Sequence, residues 1–230
     1  MKILGIIGGI APESTIDYYR RIISLYRERS NGSDYPQIII NSIDMKTMLD
    51  FIGAGDLDGL ADFLVQEVKR LAGAGAESGL LASNTPHIVF EAVSKRSPIP
   101  LASIVEAACE TAMAMHITRA GLFGTRFTMR GGFYNDVFSR EGIEVIAPED
   151  DEQEYIHHIY MNELVNGIFL SETRSRLLAV AGRMKREKGI QALILGGTEL
   201  PLILRETRTD FPFLDTTKIH VESAVARLFS

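Results

Sequence analysis

Short apolar runs alternate with longer amphipathic stretches along most of the chain. The apolar runs predict strands at 2–7, 37–42, 79–82, 120–123, 144–147 and 192–195. Apolar residues at helical spacing predict helices at 12–29, 56–73, 104–116, 151–168, 171–188 and 217–229. Buried strands that alternate with amphipathic helices are typical of parallel sheets covered by helices. The pattern therefore predicts an α/β protein.

Segments of the first half of the chain resemble segments of the second half in the same order. "GAESGLLASNTPH" from Gly75 corresponds to "GIQALILGGTELP" from Gly189, at a shift of 114 residues. "ILGIIGG" from Ile3 corresponds to "RAGLFGT" from Arg119, at a shift of 116 residues. Because the order and the shift agree, we predict two similar α/β lobes related by a pseudo-twofold axis. Each lobe is expected to be a mostly parallel sheet flanked by helices.

A third pair of segments indicates where the lobes divide. "IPLASIVEAACETAMA" from Ile99 corresponds to "FPFLDTTKIHVESAVA" from Phe211, at a shift of 112 residues. The last helix is therefore predicted to return to the first lobe. We predict a first lobe of residues 1–100 plus 213–230, a second lobe of residues 101–212, and a ligand cleft between them.

Composition excludes several classes of partner. The 230 residues carry a net charge of −6 with both signs interspersed, so we expect no nucleic-acid or anionic-membrane partner. The single cysteine, Cys109, excludes an intrachain disulfide framework and a cysteine metal site. We predict a cytoplasmic protein, because the N-terminal apolar run is too short for a signal peptide or a membrane span.

Candidate chemistry lies where the predicted strands end, because ligands of open α/β sheets bind beyond the carboxyl ends of the strands. These turns cover 8–14, 83–87, 124–128 and 196–201. In the first turn the backbone of Gly9, Ile10 and Ala11 precedes a helix and could receive an anion. A tight turn that needs glycine is the alternative explanation. The glycine spacing does not match a dinucleotide or Walker loop.

The other turns carry small polar side chains. Neutral donors suited to a carboxylate are supplied by Asn84, Thr85, Thr125 and Thr198. Helix capping is the alternative role for such residues. His87 could act as a general acid or base near neutral pH, or it could be a structural hydrogen-bonding residue. Glu199 could likewise either cap its helix or take part in the site.

Five motifs together resemble the pyridoxal-phosphate-independent aspartate/glutamate racemase family. They are "GIIGGIAPEST", "SNTPH", "LFGTRFTM", "LGGTELPLIL" and "DTTKIHVESAV". The resemblance implies two α/β lobes with a small amino acid between them, a homodimer, and no cofactor or metal. It also implies two cysteines on opposite sides of the substrate α-carbon, one removing a proton and the other returning one. The last motif adds His220 to the expected substrate-binding residues.

The chain departs from this family at both cysteine positions. They follow two of the predicted strands, and here they hold Ser83 and Gly197. A serine hydroxyl needs an adjacent base to ionise, and glycine has no side chain. Cys109 lies on a predicted helix and cannot replace either thiol. The two-thiol mechanism is therefore not available to this chain.

Three interpretations follow. Racemisation or a related isomerisation could use other groups, with Ser83 activated by His87 on one face and Thr198 or Glu199 on the other. One-sided proton chemistry, such as decarboxylation or elimination, could have replaced inversion. The site could also bind an acidic amino acid or dicarboxylate without turnover.

We take a racemase-like isomerase, thiol-independent or much weakened, as the leading prediction and a catalytically disabled binding protein as the alternative. The predicted catalytic residues are Ser83 and Thr198. The predicted substrate-binding residues are Gly9, Ile10, Ala11, Asn84, Thr85, Thr125, Gly197, Glu199 and His220.

Overall fold

The computed structural model describes residues 2–32, 34–204 and 209–229. The strands are β1 Leu4–Gly8, β2 Ile38–Ser42, β3 Ser78–Leu81, β4 Leu101–Ala102, β5 Arg119–Gly124, β6 Glu144–Ile146, β7 Ala192–Gly196 and β8 Phe213–Asp215. The α-helices are α1 Pro12–Arg29, α2 Met45–Gly53, α3 Leu57–Gly73, α4 Phe90–Arg96, α5 Ile104–Ala114, α6 Arg126–Arg130, α7 Phe133–Phe138, α8 Asp150–Asn162, α9 Ser171–Lys188, α10 Leu200–Ile203 and α11 Thr216–Ala226. Short 3-10 helices lie at Thr85–Val89, Ser139–Glu141 and Leu164–Asn166. Over the described ranges, no helix combines the length and the apolar character needed to cross a membrane.

The strands form two four-stranded sheets of the same design. The strand order is β2-β1-β3-β4 in the first sheet and β6-β5-β7-β8 in the second. Each pairing is parallel. The predicted fold class, two similar α/β lobes with parallel sheets flanked by helices, is confirmed.

The chain divides into two compact units. Unit 1 consists of Met1–Ile104 and His220–Ser230, and unit 2 consists of Val105–Ile219. The sequence placed residues 213–219 in the first lobe, but they belong to unit 2 because β8 pairs with β7 there. Residues 101–104 belong to unit 1 for the equivalent reason, since β4 pairs with β3. The ligand cleft between the units stays a prediction.

The sequence did not predict the last strand of either sheet, β4 or β8. β4 has two residues and β8 has three. Segments this short show no hydrophobic periodicity of their own. Each leads directly into a helix that the sequence did predict, α5 or α11.

Long helices follow the predicted bounds where the chain signals both ends. α1 begins at Pro12, a residue favoured in the first turn, and α1 and α9 end where predicted. The helix predicted at 151–168 instead ends at Asn162 and continues as the 3-10 helix Leu164–Asn166. Gly167 then takes a left-handed conformation with φ of 71°, which stops further helix.

The core of unit 1 forms between the first sheet and the helices at both ends of the chain. α1 contributes Tyr18, Ile22 and Tyr26, which are spaced four residues apart and therefore lie on one face. Val221 and Val225 of α11 join the same cluster. The packing fixes the turn between β1 and α1, where candidate ligand-binding residues lie.

The core of unit 2 forms around β5 and β7. Phe123 of β5 and Leu193 of β7 are buried against the apolar faces of α8 and α9. Tyr160 of α8 belongs to this cluster and is 6% exposed. The packing places α8 beside the turn that follows β7.

Candidate functional site

The turn between β1 and α1 holds a glycine that the backbone requires. Gly9 has a φ of 82°, and a Cβ there would contact the Ile43 carbonyl oxygen and lie 2.7 Å from Ser42 Oγ. Its N–H donates to Thr15 Oγ1 at 2.9 Å. This N–H already has a partner within the turn, and ligand binding by Gly9 stays a prediction.

The next residues of this turn are better placed for an anion. Ala11 has a φ of 61° and a ψ of 121°, an unfavourable conformation for a residue with a side chain. Within the part of the chain that the structure describes, the N–H groups of Ile10 and Ala11 have no hydrogen-bond partner. They lie just before the N-terminus of α1, which has 18 residues. The positive end of such a helix favours a bound anion.

His87 has a structural role in unit 1. Its Nδ1 lies 2.9 Å from the Ser83 carbonyl oxygen, and its Nε2 lies 3.2 Å from the backbone N–H of Ile104. Because a carbonyl only accepts and an N–H only donates, Nδ1 carries the proton and Nε2 accepts. Burial, followed by the charge of His220, lowers the pKa of His87 to about 3. His87 does not contact the Ser83 hydroxyl, so the interpretation that it activates Ser83 is wrong.

Ser83 follows β3 and is nearly buried, at 8% exposure. Among the described residues its hydroxyl has no hydrogen-bond partner, and hence no base to take its proton. Asn84 and Thr85 are buried beside it in sequence. The turn therefore combines a hydroxyl without an activating group and two further polar side chains.

His220 is a second structural histidine. Its Nδ1 lies 2.9 Å from the Tyr18 hydroxyl, and its Nε2 lies 3.0 Å from the Ala102 carbonyl oxygen. Nε2 therefore donates to the carbonyl, and Nδ1 accepts from the tyrosine. The side chain is completely buried, and burial lowers its pKa to about 4. Both ring nitrogens are therefore used inside unit 1, which gives His220 a structural role, and its contact with a substrate stays a prediction.

Thr125 follows β5 in unit 2 and caps the next helix. Its Oγ1 accepts from the Thr128 N–H at 3.2 Å and lies 3.2 Å from the Thr128 Oγ1. Serine and threonine commonly cap helices in this way. Capping, the alternative that the sequence left open, is therefore observed for Thr125.

The turn after β7 holds Gly197, where the family resemblance places the second thiol. A Cβ at this position would lie 2.8 Å from Tyr160 Oη and 2.9 Å from Tyr160 Cζ. Real Cβ atoms do not approach other atoms this closely, so the phenol occupies the volume of any side chain at 197. Sequence reasoning missed Tyr160, because its position on α8 is that of an ordinary core aromatic.

Thr198 and Glu199 form a buried cluster with Tyr160. The Tyr160 hydroxyl donates to Glu199 Oε2, and Thr198 Oγ1 donates to the same oxygen at 2.9 Å. Glu199 is completely buried, and Thr198 is 2% exposed. Burial, followed by the charge of Glu199, raises the pKa of the Tyr160 phenol well above its ordinary value. The phenol is therefore protonated at neutral pH and directed at a carboxylate.

Cys109 lies in the interior of α5 and is a free thiol. Burial, with smaller contributions from Glu141 and Glu110, raises its pKa to about 11. A thiol with so high a pKa is a poor nucleophile at neutral pH. Elsewhere in the described ranges, no group of three or more histidine, cysteine, aspartate or glutamate residues could hold a metal ion.

Comparison with known proteins identifies the class. Residues 7–224 match the model of the Asp/Glu/Hydantoin racemase family, and the chain belongs to that family. A proposed Asp/Glu racemase from Yersinia pestis is 34% identical, with a TM-score of 0.90 and full coverage of both chains. An aspartate racemase homologue from Pyrococcus horikoshii OT3 is 33% identical, with a TM-score of 0.86 and full coverage of both chains. An aspartate racemase from Picrophilus torridus is 20% identical, with a TM-score of 0.77 over 99% of this chain and 94% of that chain, and shares the fold.

Proposed function

We propose that this chain is a racemase-family protein that binds a small amino acid or dicarboxylic acid at its strand-end turns. In this proposal, inversion by two thiols has been lost and any racemisation is much weakened. The observation that carries the proposal is the state of the two cysteine positions. Among the described residues no base contacts the Ser83 hydroxyl, and the space beside Gly197 is filled by the Tyr160 phenol.

Ligand binding is supported by the chemistry of the turns that remain. The N–H groups of Ile10 and Ala11 lie before α1, where a carboxylate is stabilised by the helix end. Asn84 and Thr85 offer neutral polar groups in the next turn of the same unit. Such donors hold a carboxylate without neutralising it. The ligand class that matches them carries at least one carboxylate.

Loss of inversion is supported by a count of acid and base groups. Inversion needs a proton acceptor on one face of the α-carbon and a donor on the other. The Ser83 hydroxyl is a weak acid without help, and His87 supplies none, because its two ring nitrogens are both hydrogen-bonded. Each positioned acid or base is worth about 10²–10⁴ in rate. Losing both should reduce racemisation to a small fraction of that of a two-thiol enzyme.

The second candidate function, a binding protein without turnover, is favoured by the same histidine geometry. If the Ser83 face has no proton-exchanging group, the site can hold a ligand but cannot invert it. The two candidates differ in one observable, which is whether a D-amino acid forms from an L-amino acid. As a separate proposal, the family resemblance implies a homodimer, which light scattering after size exclusion tests.

The experiment combines binding and turnover. Isothermal calorimetry with L- and D-aspartate, L- and D-glutamate and succinate measures binding, and chiral chromatography measures racemisation of the four amino acids. We expect at least one of these carboxylates to bind and racemisation to be slow or absent. Binding of none of them, or rapid racemisation that survives Ser83→Ala, would contradict the proposal.

A further inference from the structure

The turn after β7 brings an acid and a carboxylate together at the end of a parallel strand. Tyr160 Oη donates to Glu199 Oε2, and Thr198 Oγ1 donates to the same oxygen. Ligands of open α/β sheets bind at this end of the strands. The three residues therefore lie where a ligand of unit 2 is expected.

Within this cluster, Tyr160 fills the space that a side chain at position 197 would occupy. Its hydroxyl oxygen would lie 2.8 Å from a Cβ at position 197. It is 6% exposed, whereas Glu199 is completely buried. Both side chains are thus buried, and the Tyr160 hydroxyl that joins them is the group through which a proton can pass between Glu199 and a ligand at this turn.

We propose that Tyr160 and Glu199 form a one-sided proton-exchange pair, in which Tyr160 contacts the α-carbon of the bound acid and Glu199 holds the displaced proton. The proposal rests on the proposed function, because it needs a bound amino acid.

The transfer balances without any further reactant. The Tyr160 hydroxyl proton moves along its existing hydrogen bond to the Glu199 carboxylate, while the phenol oxygen takes the α-proton of the ligand. The ligand C–H bond breaks and its electron pair stays on the ligand as a carbanion. A new O–H bond forms on Tyr160, and Glu199 becomes a neutral carboxylic acid. The phenol proton then exchanges with solvent water. In the reverse steps Tyr160 donates the exchanged proton to the carbanion and regains the proton held by Glu199, which recovers its negative charge.

Two features of the cluster suit this transfer. Thr198 holds Glu199 Oε2 from a second direction, so the carboxylate stays in line with the phenol. Tyr160 packs in the core of unit 2, which limits the movement of its ring. Thr198 is thus a positioning residue, while Tyr160 is the residue that touches the ligand.

The stereochemical result separates this pair from a racemase. The Tyr160 oxygen both takes the α-proton and later donates a proton to the carbanion. Exchange therefore occurs on one face of the α-carbon. In deuterated water, the ligand should gain deuterium at the α-carbon and keep its configuration. A two-sided enzyme gains deuterium as it inverts.

The test uses the full chain in deuterated water with L- and D-aspartate and L- and D-glutamate. Mass spectrometry measures α-deuterium and chiral chromatography measures configuration. We expect deuterium without inversion for at least one of these ligands. Tyr160→Phe and Glu199→Gln should each lower the exchange rate by about 10²-fold or more, while calorimetry shows that the ligand still binds. For Glu199→Gln the pH dependence of the remaining exchange should also change, because the acceptor no longer titrates.

A matched control lies on the same helix. Tyr155 of α8 stacks beneath the Arg176 guanidinium, 3.6 Å from its ring centroid, and is outside the cluster. Tyr155→Phe removes a phenol from the same helix and should leave exchange unchanged. Circular dichroism and thermal unfolding check that each variant folds. Tyr160→Phe and Glu199→Gln each preserve the shape of the side chain, so each tests one member of the pair.

The outcomes are distinguishable. Ligand binding without any exchange in the unmodified protein overturns this inference and leaves the proposed function intact. Exchange that survives both Tyr160→Phe and Glu199→Gln, or that occurs with inversion, also overturns it. Failure of all four amino acids and succinate to bind removes the proposed function and this inference together.

Discussion

Gly197 shows how one residue and its neighbour depend on each other. The volume beside its α-carbon is filled by Tyr160, so a thiol cannot be restored at 197 without moving the phenol. We predict that Gly197→Cys lowers the free energy of unfolding by about 1–3 kcal/mol, as overpacking does. Ser83→Cys is the control, because it exchanges one small side chain for another. Urea unfolding of the two variants measures the difference, and equal stability would contradict the prediction.

Restoring racemisation is therefore a three-residue change. We predict that Ser83→Cys with Gly197→Cys gives little activity, and that adding Tyr160→Ala gives a gain larger than the single changes combined. The two thiols act as a unit, and the third change supplies the room for the second thiol. Chiral chromatography of aspartate and glutamate checks the series. Full activity in the double variant alone would show that Tyr160 moves aside without cost.

The two buried histidines make stability depend on pH. Burial lowers the pKa of His87 to about 3 and that of His220 to about 4, below the ordinary value of 6.5. The unfolded chain therefore binds more protons between about pH 6.5 and pH 3 to 4, and stability falls as the pH drops through that window. We predict a lower urea midpoint at pH 5 than at pH 7.5. His220→Gln, which can still donate and accept, should reduce this pH dependence, and an unchanged slope would contradict the assignment.

At the scale of an element, the β1–α1 turn depends on a hydroxyl from the helix that it precedes. Thr15 Oγ1 accepts from the Gly9 N–H at 2.9 Å. We predict that Thr15→Val lowers the free energy of unfolding by about 1–3 kcal/mol, because an N–H in this turn is left without a partner. Thr111→Val is the control, because its hydroxyl donates to the Ala107 carbonyl of its own helix at 2.9 Å. Thermal unfolding compares the two, and equal losses would argue against a special role for the turn.

The same elements show what the sequence could and could not predict. α1 and α9 carry their periodicity over 18 residues each, so their bounds were readable. β4, with two residues, was not, because its existence depends on pairing with β3.

The roles of side chains in the site depend on tertiary contacts more strongly than the bounds of the helices and strands do. Ser83 and Gly197 were found because they interrupt a motif. Tyr160 was not found, because nothing in its local pattern shows that it lies against Gly197. His220 was assigned to the ligand because it lies in a family motif, whereas its contacts with Tyr18 and Ala102 join segments far apart in the chain.

At the scale of the whole molecule, unit 1 is built from two separate parts of the chain. Its core includes Val221, Ala224, Val225 and Leu228 from the last helix and the residues after it. We predict that a chain ending at Ile219 keeps the structure of unit 2 and loses that of unit 1. Hydrogen exchange measured by mass spectrometry should show lost protection in β1 and β3 and retained protection in β5 and β7. Uniform loss, or none, would contradict the prediction.

The discontinuity of unit 1 also sets an order of events during synthesis. Unit 2 is one continuous segment, Val105–Ile219, and every residue of it leaves the ribosome before His220 does. The first sheet of unit 1 is made earlier, but it waits for the last helix to cover it. The apolar surface of β1 and β3 is therefore exposed for the time taken to translate more than a hundred further residues, about 5–20 s at ~5–20 residues per second. The unit translated second is the one expected to finish folding first, and the nascent first sheet is the part of this protein that a chaperone would have most reason to bind.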